Sequence, residues 1–282
     1  MSAAPLEGIR VVSLAINLPG PAAAARLRQL GAEVVKVEPP SGDPLAFGVP
    51  DYYERLTEGQ QVMTVDLKDD LTPVWSLLET ADLLVTSSRP AALARLGLDW
   101  KSLHDRVPRL CQVAIVGHPG EQADVAGHDL TYQASAGTLL PPAMPTVLVA
   151  DLAGAERAVA DGLAALLARE RTGEGQFREV ALSDVADDLA QPVQRKMTGP
   201  GGFLGGELAS YRIYAAATGF VAVAALEPHF WDRLLSELEL TEGSVDELER
   251  VFATRSADEW QTWARERDLP VAAVRQITHG EA

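Results

Sequence analysis

The chain has 282 residues, 47% hydrophobic and 23% charged, which excludes fibrous and disordered classes and allows one large domain or two modest ones. Its 40 acidic and 24 basic residues leave a formal charge of −16, a field that repels polyphosphate backbones and argues against nucleic-acid binding. The one cysteine, Cys111, excludes an intramolecular disulfide and a multi-cysteine metal site, and no apolar leader or run of about 18 apolar residues occurs, so a soluble cytoplasmic protein with no membrane contact is expected.

The opening reads as strand–helix–strand. Ile9 to Leu14 is apolar and β-branched, a buried strand; Pro19-Gly20-Pro21 is a turn, with Pro21 suited to a first helical position; AAAARLRQL is a good helix former that Gly31 ends. Val34 to Val37 is the next strand, and two apolar strands joined by a helix imply a parallel pair with a right-handed crossover. PPSGDP breaks the pattern. Strands are then expected at Val62–Leu67, Asp82–Thr86 and Leu110–Val116, and helices at Pro73–Glu79 and Pro90–Leu96. Cys111 falls in the last of these strands, as an inert core thiol. TVLVA reads as a strand ending at Asp151, and an alanine- and leucine-rich helix runs from Leu152 to Arg169, followed by a strand at Phe177–Leu182. No GxGxxG follows the first strand and no Walker GK[ST] occurs.

Residues 197–207, with five glycines and a proline, read as a linker or mobile loop. Tyr211–Tyr214 and Gly219–Ala225 form a hairpin; EPHFWDRLLSELEL and ADEWQTWARERD are amphipathic helices; LPVAAV is a last short strand. The expected fold class is α/β. A large, open, mostly parallel sheet domain with helices occupies 1–200, and a smaller α+β domain occupies 201–282.

Three distant segments place an ionisable residue beside turn or strand-end residues: GHDLTY with His128, VADLAGA with Asp151 and ALEPHFW with Glu227. A base, an acid and a carboxylate that orients the base are what proton removal from carbon requires. Each also has a bland reading. A lone loop histidine is ordinarily solvated, an aspartate before a helix is an N-cap, and a glutamate before proline simply begins a helix. Asp129 is assigned a structural role.

These segments, with PLEGIRVVSLAINLPGPAAAARLRQLGAEVVKVEPPSGDP, TVDLKDD, SSRPAALARLGLD, LLARERTGEGQ and GGELASYRIYAAATGFVAVAALEPHFW, resemble the family III (CaiB/BaiF) CoA-transferases along nearly the whole chain. GHDLTYQASAG is most similar to the α-methylacyl-CoA racemase branch. The resemblance implies the family's two-domain α/β chain, a homodimer of interlocked rings, an acyl-CoA substrate and no tightly bound cofactor, coenzyme A being part of the substrate. It implies catalytic roles for His128, Asp151 and Glu227, with Glu227 setting the tautomer of His128, and CoA contacts for Lys68, Arg89 and Arg95. Backbone N–H groups at the start of the 152–169 helix are the expected donors to an enolate oxygen.

Three departures stand out. LTEGQQVM, with Glu58, Gln60 and Gln61, replaces the basic run that the family carries before TVDLK, and so removes positive charge where phosphates should lie. AATG at 216–219 lacks an acidic residue, and the chain stops at LPVAAVRQITHGEA, without the family's C-terminal return segment. Three readings stay open: a racemase that inverts an α-carbon through His128 and Asp151, a CoA-transferase that uses Asp151 as nucleophile, and a shortened non-catalytic relative.

Overall fold

The computed structural model describes residues 4–275, so QITHGEA, the end of the chain on which the expectation of a missing return segment rests, lies outside the described residues. Two compact units, residues 1–190 and 191–282, divide the chain.

The first unit holds β1 (Arg10–Ser13), α1 (Pro19–Gln29), β2 (Glu33–Glu38), α2 (Pro44–Gly48), α3 (Pro50–Thr57), β3 (Gln61–Thr64), α4 (Thr72–Leu78), β4 (Leu83–Thr86), α5 (Pro90–Arg95) and α6 (Trp100–Arg106). There follow β5 (Cys111–Val116), α7 (Asp129–Ala136), α8 (Val149–Thr172), β6 (Phe177–Ala181) and α9 (Leu182–Gln194), which carries the chain on past the division. The sheet order is β3-β2-β1-β4-β5-β6, and every pair is parallel. Parallel strands buried on both faces read as unbroken apolar runs, which is why β1, β2, β4 and β5 are plain in the sequence. Neighbouring residues go to opposite sides. Val11 joins Ala23, Leu27, Ala155 and Ala158 on one face, and Val12 joins Val74, Leu93 and Leu103 on the other. Cys111 is fully buried in the first of these cores, and burial pushes its thiol pKa up.

Helices α1 to α5 each open with a proline in the first turn, where no backbone donor is needed. For that reason PGP is not a turn ahead of α1 but its first turn, with Pro19 rather than Pro21 at the start. Gly20 is required there by space, since a Cβ would stand 2.1 Å from the Cβ of Ala15. Helix α8 buries a stripe of small residues, among them Gly154, Ala158 and Gly162, so its backbone lies close to the sheet. It ends at Gly173, in the left-handed conformation at φ +81°. TVLVA is not a strand: α8 already begins at Val149, and Asp151 lies inside its first turn instead of preceding it as an N-cap.

The second unit holds β7 (Tyr211–Ala215), β8 (Phe220–Ala224), α10 (Pro228–Glu237), α11 (Val245–Phe252), α12 (Ala257–Arg265) and β9 (Val271–Ala273). The strands form an antiparallel sheet in the order β7-β8-β9. Its core is aromatic. The Trp260 ring meets Phe252 edge-on at 5.1 Å, the Trp260 indole N–H donates to the Phe252 carbonyl at 2.8 Å, and the Tyr214 ring lies tilted against Phe252 at 5.1 Å. Residues 197–207 contain turns and bends without helix or strand. Among the described residues no helix is long and apolar enough to cross a membrane.

Gly20→Ala should lower the unfolding free energy by about 1–3 kcal/mol, because the added methyl meets the short, stiff Ala15 side chain. Urea denaturation checks this, and an unchanged midpoint would show that the turn absorbs the methyl.

Candidate active site

In an open parallel sheet, the crevice for ligands lies at the carboxyl ends of the strands, where the order of connection reverses. Here the reversal falls between β1 and β4, since β1 leads outward to β2 on one side and β4 to β5 on the other. A cavity of about 250 Å³ opens at that place. Its walls are the segments that leave the strands: Ile16 and Asn17 after β1, Ser87 to Arg89 after β4, Gly117 after β5 and Leu182 after β6. His128 and Tyr132 from α7 and Asp151 from α8 complete it.

The sequence order of α7 and α8 does not by itself bring His128 to Asp151; Asp129 does. Its buried carboxylate accepts the backbone N–H of Ala150 at 2.8 Å and of Asp151 at 3.1 Å through Oδ1, and the Gln133 amide at 2.5 Å through Oδ2. The same Gln133 amide nitrogen donates to the Val147 carbonyl at 3.1 Å, which ties the incoming loop to α7. A side chain in the first turn of one helix therefore caps the N-terminus of the next, where two backbone donors have no partner within the helix and a negative charge is favoured. This cap starts α8 at Val149 and overrides the β-branched TVLVA. It also corrects an expectation about the site. The N–H groups of Ala150 and Asp151 already bond Asp129, and that of Leu152 bonds the Leu148 carbonyl at 3.0 Å, so these three donors are already engaged.

His128 is the N-cap of α7, in extended conformation at φ −143°. Its backbone N–H donates to Thr131 Oγ1 at 3.0 Å, and Thr131 Oγ1 donates back to its carbonyl at 2.7 Å. The main chain is fixed from both sides, and His128 lines the cavity. Asp151 is half-buried, and its pKa is pushed up to about 6. Burial is the larger cause, the Asp129 carboxylate adds to it, and His128 opposes both. Tyr132 lies buried between two glycines: a Cβ on Gly117 or on Gly127 would come within 2.5 Å of its phenol. Burial, then the charges of Asp151 and Asp129, raises its pKa.

Of the residues expected from the sequence, His128, Asp151 and Arg89 line this one cavity. Arg89 is exposed at the N-cap of α5. Lys68, exposed in the turn after β3, and Arg95, exposed in the last turn of α5, do not line it. Glu227 belongs to the second unit, where it is the exposed N-cap of α10 and its carboxylate makes no capping hydrogen bond. Asn17 and Tyr132 were not singled out from the sequence. Tyr132 follows His128 by four positions on a helix start, a spacing that signals one shared face, whereas nothing local marks Asn17.

A family model described as CoA-transferase family III matches residues 6–280. The succinate–glutarate CoA-transferase of Agrobacterium fabrum is 33% identical, over 90% of this chain and 70% of its own length. The α-methylacyl-CoA racemase of Homo sapiens is 31% identical, over 90% of this chain and 69% of its own. The crystal structure of a hypothetical protein from Mycobacterium tuberculosis matches with a TM-score of 0.83 at 27% identity, over 98% of this chain and 86% of that one.

Asp129→Asn keeps an acceptor for the N–H groups of α8 and removes the charge. The Asp151 pKa should then fall below about 6 toward its ordinary value of 3.8, read by carboxyl NMR titration; no downward movement would remove Asp129 as a cause. A raised folded-state pKa means that the native chain binds a proton more tightly than the unfolded one. The stabilisation this brings is present below the unfolded value of about 3.9 and is lost as pH rises through about 6. Asp151→Asn should therefore be more stable than the parent at pH 7, with the advantage shrinking toward pH 4 in thermal melts. A parent that is the more stable of the two at pH 7 would contradict the assignment.

Proposed function

The chain belongs to CoA-transferase family III and is an enzyme of that family's kind, and on that footing we propose that it inverts the α-carbon of a 2-substituted acyl-CoA thioester by taking a proton away and returning one. The observation that carries this reading is the pair His128 and Asp151 on one small cavity, with the Asp151 pKa pushed up to about 6.

The α-hydrogen of a thioester is weakly acidic because the enolate spreads its charge onto the carbonyl oxygen. One group removes that proton, the C–H electron pair moves toward the oxygen, and the second group delivers a proton to the opposite face. For the reaction to run in both directions each group must serve as acid and as base, which is easiest when both pKa values lie near the working pH. A carboxyl at about 6 lets Asp151 meet that condition, whereas a carboxylate at its ordinary value is a poor acid at neutral pH. Transfer of CoA through Asp151 needs no imidazole beside it. The enolate oxygen also needs donors. The N–H groups of Asp129 and Leu130, in the first turn of α7 beside His128, have no carbonyl four residues back within their helix to bond. Arg89 supplies a positive charge at the cavity against a formal charge of −16 on the chain, and screening over roughly 8 Å at physiological salt lets that local charge act. Lys68 and Arg95 are proposed as further CoA contacts beyond the cavity.

A second reading has its own support. The first of the named relatives is a CoA-transferase, and a half-buried Asp151 can attack a thioester carbonyl.

Incubation of 2-methylacyl-CoA in deuterated water should label the α-carbon. His128→Ala should cut the exchange rate by about 10²–10⁴-fold, and the rate should fall as pH drops through about 6, where Asp151 takes up its proton and no longer serves as a base. Undiminished exchange in the variant would reject His128 as the base. A hydroxylamine-trapped adduct on Asp151 without exchange would replace this reading with CoA transfer.

A further inference from the structure

Behind the β1–α1 turn stands a buried charge network that proton transfer at His128 and Asp151 does not use. Lys36, fully buried in β2, bonds the carboxylates of Glu38 and Asp43, the latter at 2.8 Å. The Tyr53 hydroxyl donates to Glu38 at 2.8 Å. One ammonium and two carboxylates leave a net negative charge out of water, a costly arrangement unless every oxygen is satisfied. The free oxygen of Asp43 is satisfied by two backbone donors, the N–H of Leu45 at 3.0 Å and the N–H of Asn17 at 3.2 Å.

Asn17 has φ +68°, in the left-handed region that few residues other than glycine adopt. Its neighbour Ile16 is clamped as well: Ser87 Oγ accepts the Ile16 N–H and donates to the Ile16 carbonyl, each at 3.2 Å. The turn is thus fixed from both sides, while the Asn17 side chain is exposed, lines the cavity and has no hydrogen-bond partner among the described residues. Strain held in place by a buried network beside a cavity points to use by a ligand.

We propose that Asn17 is a substrate contact whose carboxamide reads a secondary amide in the arm of CoA, and that Asp43, itself held by Lys36, is the positioning residue that aims it. This rests on the acyl-CoA reading above. A carboxamide offers one acceptor and two donors on one plane, the complement of an amide N–H and C=O. Asn17 and Arg89 come from the ends of neighbouring strands β1 and β4, and His128 and Asp151 from α7 and α8, all around one cavity. A thioester that meets Arg89 with its phosphates and His128 with its α-carbon passes its amide-bearing arm through the same space.

Asparagine is also the residue that tolerates the left-handed region best after glycine, so conformation alone could account for it. Asn17→Gly separates the two, because it keeps the backbone and removes only the carboxamide. Titration calorimetry with CoA and with ADP, which lacks the arm, should show a Kd for CoA raised about two- to tenfold in Asn17→Gly, the loss of one or two neutral hydrogen bonds, and an unchanged Kd for ADP. Asn17→Ala should weaken CoA equally but melt at a lower temperature than Asn17→Gly, since alanine resists this conformation. Asp43→Asn should weaken CoA and leave ADP unchanged. Equal CoA binding by the parent and Asn17→Gly overturns the contact, and so does an equal loss for CoA and ADP. A parent chain that binds neither ligand removes the acyl-CoA reading itself, and this assignment with it.

Discussion

A single buried carboxylate ties together two of the helices that line the cavity. Asp129 takes two backbone N–H groups at the start of α8 and one amide of Gln133. It therefore joins two helices that the sequence separates by a long proline-containing loop, and it fixes the residue on either side of the join. His128 precedes it on the chain, and Asp151 is one of the two residues whose N–H it binds. The same charge enters the electrostatics, since it helps to raise the Asp151 pKa. One carboxylate thus both caps the start of α8 and contributes to the electrostatics at Asp151.

The sheet supplies the second constraint. With all strands parallel and the order reversing at β1 and β4, the segments leaving the strands gather at one edge. The segment after β1 is then pinned by polar side chains from elsewhere, Ile16 by Ser87 and Asn17 by Asp43, and the α8 terminus by Asp129. Rigid first-turn and strand-end positions hold reactive groups better than free loops do. The same frame serves relatives named for CoA transfer and a relative named for racemisation. A single aspartate in a half-buried place suits either chemistry, and here it shares its cavity with His128.

Much of the fold was legible because burial on both faces makes parallel strands read as apolar runs. β1, β2, β4 and β5 declare themselves this way, the hairpin β7–β8 by its two short strand-like runs around a turn, and α8 by its alanine- and leucine-rich length. The short helices α2, α3 and α6 do not, since five to eight residues carry too little periodicity. PPSGDP looks like a break, yet Asp43 and Pro44 are the cap and first residue of α2. Helix α11 carries a readable signal in the sequence, the Ser244–Glu247 capping box. TVLVA misled in the other direction, because its β-branched residues favour a strand locally and only a cap from Asp129 makes the chain turn helical there.

From the amino-acid order alone came the α/β class, the family and the choice of His128, Asp151 and Arg89, since residue type, periodicity and motif order are local properties that survive in one dimension. Which of these residues share a cavity, the elevated pKa of Asp151, the capping of the Ala150 and Asp151 N–H groups by Asp129 and the tethering of Asn17 by Asp43 were decided only by tertiary structure. Each depends on a contact between residues 21 to 71 positions apart, or on burial, and neither distance in space nor exclusion of water is written in a sequence.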